Sequence, residues 1–234
     1  MILKDDCNTQ LQKILRNTNS DLIKNYNTTN IEKCFSYLYI INFISKKIEL
    51  KRFFKTKYYI VSYSCLIESF VLLLENYPRG SSLVLRSALE NFIKSVIEIS
   101  GEGKYPINDR SYGENRKTLD KLIEQEYPQK YREIFKRTNA QMHSTYGKLS
   151  GLSHSLTPES QNNLLEFFSD VNVLNKENID NVFNKLLSIL EYIFMCSLLI
   201  SRSSLENWER SNLNEILGFT FGKKRTANLL ELFS

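Results

Sequence analysis

The chain has 234 residues, 42% of them hydrophobic and 24% charged, a balance that marks a folded globular protein and excludes wholesale disorder. With only two histidines, His143 and His154, a three-histidine metal site within one chain is impossible. The formal net charge of +5 sits in residues 46–57 (KKIELKRFFKTK), where six basic side chains accompany one acid and the rest of the chain is balanced.

Read in chain order, the periodicity is helical almost throughout. The start, MILKDDCNTQLQ, has no apolar h-region, so a secretory signal is not expected. Residues 5–24 read as an amphipathic helix weakened by Asn17, Asn19 and Ser20. Thr29-Asn30-Ile31-Glu32 has capping-box spacing and opens a helix running to about residue 54. Residues 58–77 are apolar nearly all round, which predicts a helix covered on most sides. Pro78-Arg79-Gly80 stops it, and Ser81 is placed to cap a helix over 81–100 with polar positions at 86, 87, 90, 91, 94, 95 and 98.

Residues 101–115 hold three of the eight glycines and one of the four prolines, which predicts a long loop. A short helix at 117–125 ends before Pro128, and 129–154 reads as one long helix closed by Leu156-Thr157-Pro158. Residues 162–170 are expected to be helical. The Asn- and Lys-rich stretch 171–178 leads into a strong helix over 179–203, with shorter pieces at 205–216 and 224–233. The longest apolar run, 186–200, is broken by Glu191 and is short of the roughly 20 residues of a membrane span, so it reads as a central core helix.

No alternating strand, internal repeat or low-complexity tract is found. The expected fold is all-α, a single domain formed by an up-and-down helical bundle. Its parts are N-terminal helices with a basic end (1–57), a core bundle (58–204) and a C-terminal helical tail (205–234). Cys7, Cys34, Cys65 and Cys196 are scattered without a C-x-x-C pair, as reduced thiols of a cytoplasmic, soluble protein would be.

Several chemistries lack their residues. There is no H-E-x-x-H or E-x-x-H pair, no G-x-S-x-G elbow, and no Gly-rich segment with P-loop spacing after a strand. The informative stretch is 137–154, RTNAQMHSTYGKLSGLSH. On a straight helix His154 lies only about 20° around from His143, with Tyr146, Gly147, Ser150 and Gly151 in the same arc. A mid-helix glycine costs about 1 kcal/mol relative to alanine and usually reflects close approach by a backbone or ligand. Arg86 and Glu90 stand at i, i+4 on the polar stripe of their helix, with Lys94 continuing the row. In the basic segment, Lys46, Lys47, Lys51, Arg52, Lys55 and Lys57 are interleaved or flanked by Phe53, Phe54, Tyr58 and Tyr59, a composition suited to neutralising phosphates and stacking bases.

Leu85-Arg86-Ser87-Ala88-Leu89-Glu90 after an apolar helix, followed by Tyr146-x-x-Leu149-Ser150-x-x-x-His154, resembles a group of bacterial all-helical proteins, the HEPN superfamily and its abortive-infection (phage-defence) relatives. The resemblance spans about residues 60–200. It implies a helical bundle that forms a homodimer and cuts RNA with no metal or cofactor, as a toxin or anti-phage effector, sometimes held by an antitoxin or another defence-system protein. It carries no membrane role.

The family signature is an arginine, a polar residue and a histidine four to six residues on, and Arg137-Thr138-Asn139 with His143 meets it. His154 fits the second pattern, with Lys148 where the arginine would stand. The two patterns nominate different histidines, and a straight helix sets Arg137 about 120° from His143.

The leading expectation is a metal-independent ribonuclease. His154 or His143 would be the acid/base, Arg137 or Arg86 the phosphate clamp, Glu90 and Tyr146 the orienting groups, and residues 46–57 the RNA-backbone contact. The alternatives are a non-catalytic helical module binding a protein partner or nucleotide, and a nucleic-acid scaffold using only the basic patch.

Overall fold

The computed structural model describes residues 2–18, 26, 28–154, 169, 173 and 175–233. Among the described residues there are ten α-helices and no strand. They are α1 (Ile2–Asn17), α2 (Thr28–Lys46), α3 (Lys57–Leu74), α4 (Pro78–Gly101), α5 (Tyr112–Glu126), α6 (Gln129–His154), α7 (Lys176–Ile200), α8 (Arg202–Leu205), α9 (Arg210–Thr220) and α10 (Lys223–Leu232). The all-α expectation holds.

Two helices organise the rest. α7 opens on Asn175, whose side chain accepts the Asn178 amide, and buries residues on every side, among them Phe183, Leu186, Leu190, Phe194 and Leu199. It packs against α2, α3, α4 and α6. α4 is the second hub, in contact with α3, α5, α6 and α7. Its closest neighbour is α3, and the two form a hairpin zipped by serines. Ser62 Oγ donates to the Ala88 carbonyl at 2.8 Å, and the Ser69 and Ser81 hydroxyls lie 2.8 Å apart. Small hydroxyl side chains let the two backbones approach while keeping their own polar atoms paired.

Several boundaries differ from the sequence expectation, each for a local reason. α2 already includes Thr28 and ends at Lys46, well short of residue 54. The chain then turns and forms a 3-10 helix, Lys51–Phe54, that points Leu50, Phe53 and Phe54 inward together. α4 starts at Pro78, because a proline at the first helical position loses no hydrogen bond and presets φ. Ser81, expected as its cap, instead faces Ser69.

The 101–115 loop shrinks from both ends. α4 runs through Gly101, and Ser111 caps α5 by accepting the Glu114 amide. Between them Asn108 and Asn115 lock the chain: Asn115 accepts the Asn108 amide at 2.8 Å and donates back to its carbonyl at 2.6 Å. The helix expected at 162–170 lies outside the described residues, apart from Ser169.

The largest departure is α3. Its composition predicted cover on most sides, yet Ile60 is 60% exposed, with Val61, Ile67 and Val71 also in solvent. By length and composition α3 and α7 could each cross a membrane; α7's apolar window is 72% buried within the fold and α3's only 39%.

One buried polar node joins three elements at the core. Tyr192 of α7 donates to Asn139 Oδ1 at 3.0 Å, and Asn139 Nδ2 reaches Asp120 of α5 at 3.4 Å. Asn139→Ala strands the fully enclosed Tyr192 hydroxyl, so chemical denaturation should show a loss of about 1–3 kcal/mol. Tyr192→Phe, which removes the stranded group, should cost less than Asn139→Ala.

Candidate functional site

Arg86 and Glu90 lie one turn apart on α4, and Tyr146 reaches them from the middle of α6. Arg86 Nε donates to Glu90 Oε1 at 3.0 Å and to the Tyr146 hydroxyl at 3.2 Å. That hydroxyl donates in turn to Glu90 Oε1 at 2.7 Å. A three-membered ring of hydrogen bonds therefore closes between residues 56 and 60 positions apart in sequence. The Arg86 and Glu90 side chains are 25% and 31% exposed, so the network sits at the surface but behind its outermost layer.

Tyr112, the first residue of α5, stacks flat on Tyr146, with ring centroids 3.5 Å apart and planes at 8°. The exposed His143 continues the stack, its ring parallel to Tyr112 at 6.3 Å. The clamped Asn108–Asn115 loop and the Ser111 cap place Tyr112 there.

The environment fixes the charge states. Burial, and then the bond to the Glu90 carboxylate, push the Tyr146 hydroxyl up to about 12, so it stays a donor across the physiological range. Burial works against the Arg86 charge, but the bonds to Glu90 and Tyr146 outweigh it and hold the guanidinium above its ordinary value. Tyr112 is raised by burial and by neighbouring Tyr146. The result is a fixed cation beside a phenol donor.

The row continues along α4. Lys94, two turns or about 12 Å from Arg86, is buried and donates to the Asp109 carbonyl at 3.0 Å. Its ammonium is also 3.6 Å from the Asp109 carboxylate, which accepts from the Tyr58 hydroxyl at 2.9 Å. The Tyr58 bond, with Lys94 adding to it, holds the Asp109 carboxyl below its usual range. The polar stripe of α4 thus runs from the Tyr146 network to the basic end of residues 46–57.

Of the residues nominated from sequence, Arg86, Glu90 and Tyr146 converge, and His143 meets Tyr112, which stacks on Tyr146. Arg137 does not join. It lies on another side of α6, lining a cleft with Glu191 of α7 and Arg225 of α10, as the 120° rotation requires. His154 is the last residue of α6, and its side chain lies outside the described set.

In the basic segment Lys46, Lys51, Arg52, Lys55 and Lys57 are exposed, and Lys47 is half-buried over the Phe43 ring at 4.3 Å. The aromatic half of that expectation is corrected. Phe53, Phe54 and Tyr59 are core residues, and Tyr58 is tied to Asp109, so the segment offers cations without open stacking faces.

The glycine expectation is also corrected. Among the described residues, a Cβ at Gly147 would meet nothing within 4 Å. Among the described residues no group of three or more His, Cys, Asp or Glu side chains could hold a metal ion.

Tyr112 is the member that sequence reading missed. Its only signal was its place in the Gly-rich 101–115 stretch, and aromatic stacking across elements leaves no periodic mark. No family model, curated protein or solved structure matches the chain.

Gly147→Ala tests the open face of α6. With no neighbour to displace, it should stabilise the protein by up to about 1 kcal/mol, through helix propensity and a less flexible unfolded chain. A fall in Tm would show that the position is packed after all.

Proposed function

We propose that this chain is a HEPN-like, metal-independent ribonuclease acting as a bacterial toxin or anti-phage effector, with its site at Arg86, Glu90, Tyr146 and His143. The observation that supports this most is the convergence of the first three, from two distant segments, beside an exposed imidazole on the same stack.

Metal-free RNA cleavage needs few parts. A base takes the proton of a ribose 2′-hydroxyl, whose oxygen attacks the adjacent phosphorus. The bond from phosphorus to the 5′ oxygen breaks as an acid protonates that oxygen, leaving a 2′,3′-cyclic phosphate and a 5′-hydroxyl. Imidazole serves either proton-transfer role, which assigns that task to His143. A guanidinium neutralises the charge that builds on the phosphate oxygens, the task of Arg86. Glu90 and Tyr146 are positioning residues: they fix the guanidinium plane through Nε. The exposed lysines of 46–57 follow along the α4 stripe, where the RNA backbone would run.

One observation favours a second reading, a non-catalytic module that binds a nucleotide or a protein partner: Arg86 already has partners within the chain.

The two readings separate in a cleavage assay with purified protein, defined RNA and excess EDTA. The nuclease reading expects cyclic-phosphate ends, and losses of at least about 100-fold for His143→Ala, an exposed and foldable change, and for Arg86→Ala. Tyr146→Phe should lose less. Cleavage that EDTA abolishes, or that His143→Ala leaves intact, overturns the nuclease reading. Absent cleavage, with nucleotide binding that Arg86→Ala removes, supports the second.

A further inference from the structure

The cleft that holds Arg137 has a volume of about 220 Å³ and shares no lining residue with the Arg86–Glu90–Tyr146 network. Its walls follow from helical spacing. Ile134, Arg137, Thr138, Gln141 and Met142 fall at i, i+3, i+4, i+7 and i+8, which is one face of α6. Ser188, Glu191, Tyr192 and Met195 fall at i, i+3, i+4 and i+7 on the facing side of α7, and Arg225 of α10 completes the lining.

The cleft is apolar below and polar above. Met142 and Met195 are 2% and 3% exposed, and with the enclosed Tyr192 ring they form its floor. The Tyr192 hydroxyl is already given to Asn139. Most of the polar rim is committed as well. Thr138 and Ser188 donate their hydroxyls to the Ile134 and Asn184 carbonyls. Arg225 is paired with Glu191 and lies over the Phe221 ring at 4.3 Å. Two exposed donors are left over. Among the described residues, neither the Arg137 guanidinium nor the Gln141 carboxamide has a hydrogen-bond or ion-pair partner, and they stand one turn apart on α6.

We infer that this cleft binds a small monocarboxylate with an apolar body. Arg137 and Gln141 hold the carboxylate, and Met142, Met195 and the Tyr192 ring receive the body. A guanidinium offers two parallel N–H groups that match a carboxylate, and the amide one turn away adds a third donor. Methionine side chains adapt to irregular apolar shapes.

The charges select against other ligands. Two guanidiniums and one carboxylate leave the lining with a single net positive charge, which disfavours a cation. A phosphate dianion would find only one uncommitted guanidinium and would face the Glu191 carboxylate. The volume is below the roughly 300–1,000 Å³ of sites for drug-sized molecules, so the ligand is smaller than those. None of these residues belongs to the proposed nuclease site or to the basic segment, and the inference does not depend on that reading.

Two of the chain's three methionines form the floor, so NMR of the full-length protein labelled with methyl-¹³C methionine reads the cleft directly. Met142→Leu and Met195→Leu assign the two signals. Hexanoate should shift both in a saturable way at millimolar or lower concentration. Hexanamide keeps the body without the charge, and acetate keeps the charge without the body; each should bind at least about tenfold more weakly. Arg137→Gln, an exposed change that breaks no bond within the described chain, should weaken hexanoate by at least about tenfold with an unchanged circular dichroism spectrum.

Millimolar hexanoate that moves neither signal overturns the proposal. So does hexanamide binding as tightly as hexanoate, a comparison that needs no variant. Inorganic phosphate binding more tightly than hexanoate, or an Arg137→Gln protein with undiminished affinity, overturns it too.

Discussion

The arrangement depends on a constraint on α4. This helix is surrounded by α3, α5, α6 and α7, yet its sequence carries Arg86, Glu90 and Lys94 in a row. Charged groups taken partly out of water must be paired, and α4 alone pairs only the first two. The remaining partners come from elsewhere: Tyr146 from α6, and Asp109 with Tyr58 from the loop and the start of α3. Satisfying one helix's polar stripe thereby fixes the rotation of α6, the course of the 102–111 loop and the docking of the basic segment. The candidate site is the outer end of that same solution.

The fold was largely legible because period and burial coincide. α7, with the apolar run 186–200, is the core helix; α6 spans the residues its pattern marked. Boundaries were misread where tertiary demands outweighed local signals. The helix expected through residue 54 breaks after Lys46 because Leu50, Phe53 and Phe54 belong inside, and on a continuous helix they would fall on the side opposite to the residues that α2 buries. Phenylalanines among those lysines imitated stacking faces, since sequence shows neighbours and not which side each faces.

The candidate site was legible in part. Arg86 with Glu90, and Tyr146 with His143, were visible as two separate stripes, but nothing in either stripe said that they would meet. Tyr112 was invisible because stacking has no spacing rule, whereas the place of Arg137 on another side of α6 follows from its 120° offset from His143. The uncovered face of α3 teaches the converse. An all-round apolar helix promises cover, yet among the described residues α3 keeps Ile60, Val61, Ile67 and Val71 in solvent along one side.

The most direct test of the account is a thermodynamic double-mutant cycle between Glu90 and Tyr146, using Glu90→Gln, Tyr146→Phe and the double variant in equilibrium denaturation. If the phenol–carboxylate bond is what joins α4 to α6, the two changes should be non-additive by about 1–3 kcal/mol, as for hydrogen bonds to a charged group. Additivity within about 0.3 kcal/mol would mean that the two helices are held by apolar packing alone, and that the cluster is an incidental meeting of side chains.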